Sequence, residues 1–182
     1  MLDVGSKIMN NPTLYIFSGL PASGKTTLAR LLSQQIKAFY IRIDTVEQGL
    51  RDLCNYKVEG EGYRLSYRLA RDNLVIGHSV IADSCNPIAL TRAEWQAVAT
   101  ATNANYVNIE VYCSDKNEHK YRVDSRECTT ENMQLPTWHQ VQNREYDKWD
   151  ETVIRIDTFN KKSLESLKEL VEKLAKNYAY SQ

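Results

Sequence analysis

Residues 19–26, Gly-Leu-Pro-Ala-Ser-Gly-Lys-Thr, have the types and spacing of a phosphate-binding loop, G-x-x-x-x-G-K-[ST]. The glycines of such a loop let the backbone turn tightly and direct its N–H groups at phosphate oxygens. Apolar residues at 13–17 and the apolar spacing of 27–36 predict a strand before the loop and a helix after it. This order argues against a chance glycine-rich turn, so we expect a nucleoside triphosphate to bind here.

Within this loop, Lys25 has the reach to contact the β- and γ-phosphates, and the Thr26 hydroxyl suits Mg²⁺. Replacing Lys25 by Ala should therefore weaken ATP binding while leaving the fold intact. The expected nucleotide contacts in the loop are Gly19, Pro21, Ala22, Ser23, Gly24, Lys25, Thr26 and Thr27.

Two aspartates close predicted strands, Asp44 at the end of 40–44 and Asp83 at the end of 79–83. Asp83 follows an apolar run, as in a Walker B element, and is predicted to hold Mg²⁺ through water or to contact the acceptor. Its alternative is a turn aspartate. Asp44 is placed to accept a proton from an acceptor hydroxyl, or to orient that hydroxyl. Its alternative is a helix cap.

Several arginines are candidates for binding anions. Arg122 and Arg126 are four residues apart, so on a helix they share a face and can close over phosphates. The alternative is an ordinary solvated helix with pairs such as Glu118 with Arg122. Further candidates for an anionic acceptor, each individually more typical of a surface residue, are Arg51, Arg64, Arg68 and Arg92.

Apolar periodicity predicts that strands and helices alternate along the whole chain. Strands are expected at 13–17, 40–44, 79–83, 106–112 and 153–157, and helices at 27–37, 45–54, 61–76, 91–100, 115–127, 136–149 and 164–178. Such alternation predicts a five-stranded parallel sheet in a three-layer α/β domain. Because ligands bind at the carboxyl ends of parallel strands, the loop, Asp44 and Asp83 are expected to meet in one cleft.

The composition is that of one globular domain covering residues 1–182, with 1–12 as a frayed polar lead-in. Lys plus Arg and Asp plus Glu are 23 each, so a general electrostatic footprint for nucleic acid or an anionic membrane is absent. The four cysteines and three histidines have no zinc-ligand spacing. Without an apolar leader or membrane span, we expect a cytoplasmic protein; its oligomeric state stays open.

The order of these motifs resembles the small P-loop kinases that include polynucleotide 5′-hydroxyl kinases, gluconate kinase, adenylylsulfate kinase and the chloramphenicol phosphotransferase and zeta-toxin types. The likeness is carried by residues 19–27, by Ile43-Asp44, by 80–87 with Thr91-Arg92, and by 122–126 in the place of an arginine lid. It spans roughly residues 14–174 and is nearest to predicted ATP-binding kinases of the AAA_33 and zeta-toxin-like group.

The resemblance implies ATP and Mg²⁺ as cofactors, a P-loop NTPase fold with a short helical lid at 115–127, and an acceptor-activating role for Asp44. It implies lid roles for Arg122 and Arg126 and places Thr158 near the adenine. Residues 47–68 and 86–92 vary with the acceptor in this group, so Arg51, Asn86 and Arg92 are expected acceptor contacts.

Three classes of function follow from these motifs. The first is an ATP-dependent kinase of a small hydroxylated metabolite or nucleoside-like molecule. The second is a polynucleotide 5′-hydroxyl kinase, which the neutral net charge does not favour. The third is a nucleotide-dependent switch or regulatory ATPase, although Ser84-Cys85-Asn86 stands where switch GTPases keep a D-x-x-G turn.

Overall fold

The computed structural model describes residues 11–149 and 152–179. Of the expected lead-in at residues 1–12, positions 1–10 lie outside the described residues.

Five parallel strands form one sheet in the order β2-β3-β1-β4-β5. They are β1 (Thr13–Ser18), β2 (Phe39–Arg42), β3 (Val80–Asp83), β4 (Asn105–Tyr112) and β5 (Ile154–Asp157). Asp83 is paired with Phe17 of β1 on one side and with Arg42 of β2 on the other. The carboxyl ends of these three strands therefore meet at one edge, and the predicted parallel α/β fold is confirmed.

Helices alternate with these strands. They are α1 (Lys25–Ile36), α2 (Ile43–Cys54), α3 (Glu61–Val75), α4 (Ala89–Ala101), α5 (Lys116–Ser125), α6 (Trp138–Gln142) and α7 (Ser163–Ala179). None of the helices within 11–149 and 152–179 is long and apolar enough to cross a membrane.

The central strand β1 buries side chains on both faces of the sheet. Tyr15 and Phe17 pack into a cluster with residues of α1 and α7, whereas Leu14 and Ile16 pack with residues of α3 and α4. Because successive side chains of a strand point to opposite faces, a strand buried on both sides is apolar throughout. This double burial holds β1, and the loop that follows it, in a fixed place.

Two predicted element starts are wrong. Strand β2 ends at Arg42, so Asp44 lies in the first turn of α2 and not at a strand end. Helix α4 begins at Ala89, before the predicted Thr91, and no side chain caps it. The Thr91 hydroxyl instead donates to the carbonyl of Ile88 at 3.0 Å.

The predicted helix at 136–149 is reduced to the five residues of α6. Thr137 and Gln140 form a capping box at its start, and Val141 is its buried residue. Further along, the Asp147 backbone N–H donates to the carbonyl of Pro87 at 2.7 Å. Long-range contacts of this kind replace the helical hydrogen bonds of the later residues.

Candidate active site

The loop between β1 and α1 has the geometry of a phosphate cradle. Gly19, Ala22 and Gly24 have φ angles of 144°, 63° and 93°. A Cβ at Gly19 would overlap the carbonyl oxygen of Val111, so only glycine fits there. Helix α1 starts without a side-chain cap and without an acid in its first turn, which leaves its N–H groups for an anion.

A second observation on the loop also fits an anion. Ser23 is 1% exposed, and its hydroxyl oxygen has no hydrogen-bond partner among the residues that the structure describes. A buried hydroxyl without a partner costs free energy that a bound phosphate oxygen relieves. The residues of this cradle therefore fit a nucleotide phosphate.

Behind the loop, Lys25 and Asp83 form a buried ion pair, with Nζ and Oδ1 2.9 Å apart. The Tyr40 hydroxyl donates to the other carboxylate oxygen of Asp83 at 2.7 Å. Burial opposes the charge of Asp83, but the Lys25 charge and hydrogen bonds from Tyr40, Lys25 and Thr26 lower its pKa overall. For Lys25, burial likewise opposes the charge, and Asp83 followed by Asp44 raises its pKa. Both groups are therefore ionised.

We predict that Tyr40→Phe lowers the free energy of unfolding by about 1.5–3 kcal/mol, since it removes a hydrogen bond to a buried carboxylate. Urea denaturation measures the change. The matched control is Tyr106→Phe on an exposed position of β4, which should stay within about 0.5 kcal/mol of the unaltered protein. Equal stabilities for the two variants would contradict the role assigned to the Tyr40 hydroxyl.

Thr26 and Asp83 are the residues that fit Mg²⁺. Both offer oxygen, the ligand atom that this ion prefers, and the Thr26 hydroxyl hydrogen-bonds Asp83. Within the described residues, no group of three or more His, Cys, Asp or Glu side chains is arranged to hold a metal. This pattern suits Mg²⁺, which is usually held by one or two protein oxygens together with phosphates and water.

A cleft of about 750 Å³ opens in front of the loop. It brings together eight of the residues expected at the site: Gly19, Pro21, Ala22, Lys25, Thr26, Asp44, Arg51 and Arg126. Ser23, Gly24 and Thr27 belong to the same loop and first helical turn. Asp83, which is 1% exposed, lies beneath the cleft and reaches it through its contacts with Lys25 and Thr26.

Asp44 lines the cleft with its carboxylate 3.4 Å from Arg42. If Asp44 were a helix cap, it would occupy the N-cap position of α2. That position is occupied by Arg42, and no side chain caps this helix. The first turn of α2 therefore presents Asp44 towards the phosphate loop, and the capping alternative is wrong.

The two lid arginines do not share a helix face, contrary to the expectation from their spacing. Helix α5 ends at Ser125, and Arg126 follows with an extended backbone, φ −71° and ψ 143°. Arg126 lines the cleft, whereas Arg122 donates to Glu118 at 2.8 Å and to the hydroxyl and carbonyl oxygens of Thr158 at 2.8 and 3.1 Å. The ion pair between Glu118 and Arg122, which the alternative of an ordinary solvated helix predicted, is thus present as well.

Thr158 braces the phosphate loop from behind. Its hydroxyl donates to the carbonyl of Ser23 at 2.8 Å, and its side chain lies against Gly24. Arg122 and Thr158 together hold the loop in place, and the contact with the nucleotide that the resemblance implies for them stays a prediction.

Asn86 and Arg92 were expected at the acceptor, but the structure does not bring them into the cleft. The Asn86 amide donates to the carbonyl of Phe17 at 2.8 Å and is 0% exposed. Arg92, 1% exposed, donates to backbone carbonyls and lies 4.0 Å from the centre of the Trp149 ring. They anchor the segments after β3 and α6.

Sequence reasoning missed four residues of this region. Tyr40 holds Asp83, Arg42 contacts Asp44, and Arg144 lines the cleft. The His119 ring nitrogen Nε2 lies 2.8 Å from the carbonyl oxygen of Pro21, which ties α5 to the loop. Tyr40, Arg144 and His119 belong to no local motif, because each reaches the site only through the folding of distant segments, whereas Arg42 lies two residues before Asp44 in the predicted strand 40–44.

Comparisons with known proteins agree with this geometry. The structure resembles the Mycobacterium tuberculosis APS kinase CysC in complex with AMPPNP and APS, with a TM-score of 0.69, 18% identity, and 91% and 98% of the two chains covered. It also resembles a gluconokinase from Sinorhizobium meliloti 1021 (TM-score 0.66, 12% identity, coverage 94% and 98%) and Chaetomium thermophilum Kti12 in complex with ADP-AlF3 (0.63, 18%, 87% and 97%). No curated protein matches the sequence.

Fold and loop together define a P-loop kinase fold. A family model described as an AAA domain, AAA_33, matches residues 14–146, and the chain belongs to this family.

Proposed function

We propose that this chain is a single-domain, cytoplasmic kinase that transfers the γ-phosphoryl group of ATP to a hydroxyl group of a small molecule. The observation that carries the proposal is one cleft lined by Lys25 and Thr26 of the phosphate loop, by the carboxylate of Asp44, and by Arg126. Phosphoryl transfer needs these parts: a phosphate cradle, positive charge around the moving group, and a residue that positions the acceptor.

The loop and Lys25 bind the phosphates. Lys25 has three N–H donors, so it can keep Asp83 and still donate to a phosphate oxygen. Thr26, with Asp83 behind it, would hold Mg²⁺, which neutralises charge on the β- and γ-phosphates when bound. Asp83 also keeps Lys25 charged, because its own carboxylate is ionised.

Asp44 is proposed to accept or orient the acceptor hydroxyl. Asp44 lines the cleft together with Lys25 and Arg126, and its charge acts on both of these cations. It is half-buried, and among the described residues its ion pair is the long 3.4 Å contact with Arg42, so its oxygens remain available. Arg126 is proposed to stabilise the charge that spreads over the transferred group.

A switch role is supported less well than a kinase. Switch proteins release the segment after the third strand when the nucleotide changes. In this chain Ser84 is 2% exposed and Asn86 is 0% exposed and bonded to Phe17. A segment anchored in this way is poorly suited to such a movement.

The testing experiment is a screen for ADP release with Mg²⁺ and ATP, in which hydroxylated metabolites, nucleosides and 5′-hydroxyl oligonucleotides are compared side by side. We expect release to depend on one class of acceptor and a labelled phosphate to appear on its hydroxyl. GTP should be a poorer donor than ATP. ADP release that no acceptor stimulates would favour a regulatory ATPase and contradict the kinase proposal.

A further inference from the structure

The positive and negative charges of the residues that line the cleft are unequal in number. Besides Lys25, which is paired with Asp83, four arginines face two carboxylates, an excess of two positive charges (4 − 2 = 2). The charged groups counted are Arg42, Arg51, Arg126, Arg144, Asp44 and Glu47. Since the whole chain has a net charge of zero, this excess is a local feature of the site.

Two of the arginines are already neutralised by neighbours. Arg42 pairs with Asp44 at 3.4 Å, and Arg51 pairs with Glu47 at 3.2 Å. Arg126 and Arg144 make no ion pair with any residue in the described ranges. The excess charge of the cleft therefore resides on these two side chains.

Arg126 is partly exposed, and part of its guanidinium is enclosed by the protein. Its Nε and one terminal nitrogen are buried and lack a hydrogen-bond partner among the described residues. Burial lowers the pKa of Arg126, and the charges of Arg144 and Arg42 act in the same direction against that of Asp44. A cation with unmet donors beside two like charges is stabilised by an anion that enters the cleft.

Arg144 lies on the side of the cleft formed by α2 and the segment after α5. Its charge acts on Glu47 of α2 and on Arg126, whereas the charges that act most on Lys25 are those of Asp83 and Asp44. Its backbone N–H is bonded to the carbonyl of Val141, the buried residue of α6. Arg144 is exposed and lines the same cleft as Arg126, on the wall that also contains residues 132–136 and Gln140 of α6.

We propose that Arg144, with Arg126 extending between it and the transferred phosphoryl group, forms a subsite for an anionic group of the acceptor itself, a phosphate, sulfate or carboxylate, distinct from the phosphates of ATP. Guanidinium groups bind such anions through two parallel hydrogen bonds, which gives geometric selectivity as well as charge. Resting on the proposed function, this inference narrows the acceptor from any small hydroxylated molecule to one that carries negative charge. Arg144 is then a residue that determines specificity.

The test fills the nucleotide site with Mg²⁺ and AMPPNP and then titrates inorganic phosphate by calorimetry. We expect phosphate to bind alongside the analogue, and its affinity to fall roughly tenfold or more in Arg144→Gln, as expected for losing a charged hydrogen-bonding partner. Arg144→Lys, which keeps the charge but loses the planar fork, should fall less. The matched control is Arg71→Gln on the exposed surface of α3, which should bind phosphate like the unaltered protein.

The outcomes separate this inference from the proposed function. Phosphate that only displaces AMPPNP, or that binds Arg144→Gln and Arg71→Gln equally, overturns the subsite and leaves the kinase proposal standing. A protein that fails to bind AMPPNP overturns the nucleotide assignment, and the same comparison of the two variants, made without analogue, still reports whether Arg144 binds an anion.

Discussion

Lys25→Ala is expected to abolish phosphoryl transfer and, in the same protein, to lower the free energy of unfolding by about 3–5 kcal/mol. The second effect follows from the buried ion pair, which the sequence did not indicate. Lys25 neutralises Asp83, which is 1% exposed, so removing the amine leaves a buried carboxylate without its counter-charge. Calorimetric titration with ATP and urea denaturation measure the two effects separately.

A double variant separates the chemical from the structural consequence. In Lys25→Ala with Asp83→Asn, the buried group is neutral, and an amide oxygen still accepts from the Tyr40 hydroxyl. We expect this variant to recover much of the lost stability and none of the phosphoryl transfer. If Lys25→Ala alone were as stable as the unaltered protein, the ion pair between Lys25 and Asp83 would not form in solution. Undiminished ATP affinity in either variant would contradict the phosphate-loop assignment.

Asp44→Asn is expected to lower phosphoryl transfer by ~100-fold or more, the usual scale of general-base catalysis. An amide of nearly the same shape cannot accept the proton of the acceptor hydroxyl. Stability should change little, because the carboxylate caps no helix and makes only a 3.4 Å contact with Arg42. Single-turnover transfer with the acceptor found in the screen measures the rate, and ATP affinity should stay near that of the unaltered protein.

The control for this prediction is Asp72→Asn, the same exchange on an exposed position of α3 outside the cleft. It should leave transfer unchanged. A loss much smaller than ~100-fold in Asp44→Asn would assign Asp44 to positioning, since loose transition states depend less on a base. Transfer at the unaltered rate would remove Asp44 from the mechanism.

The sequence alone predicted correctly those features that depend on residues close together in the chain. The phosphate-binding function of residues 19–26 is recognisable from the sequence, because the backbone geometry of the cradle depends on two glycines at a set spacing. Both have positive φ in the structure. The five strands were predicted to within about two residues, because each contains a short run of apolar and β-prone residues. Parallel order and the convergence of strand ends on one cleft follow from the alternation of strands and helices.

Local patterns failed where a side chain is recruited by a distant segment. A separation of four residues predicted that Arg122 and Arg126 share one face of a helix. In the structure, Arg122 is bound by Thr158, and α5 ends before Arg126. The likeness to acceptor-binding segments nominated Arg92, yet its guanidinium is held by backbone carbonyls and Trp149.

The sequence by itself thus determined the fold class, the phosphate loop and the position of Asp83 at the end of β3, since those depend on residue type and short-range spacing. Only the tertiary structure decided which charges face the cleft. Arg144 lies 119 positions beyond Lys25 in the chain (144 − 25 = 119), and a local pattern carries no information over that separation. Packing of α6 and burial of Asp83 determine which charges in the cleft have no partner. The partners of a charged side chain are fixed only when the whole chain has folded around it.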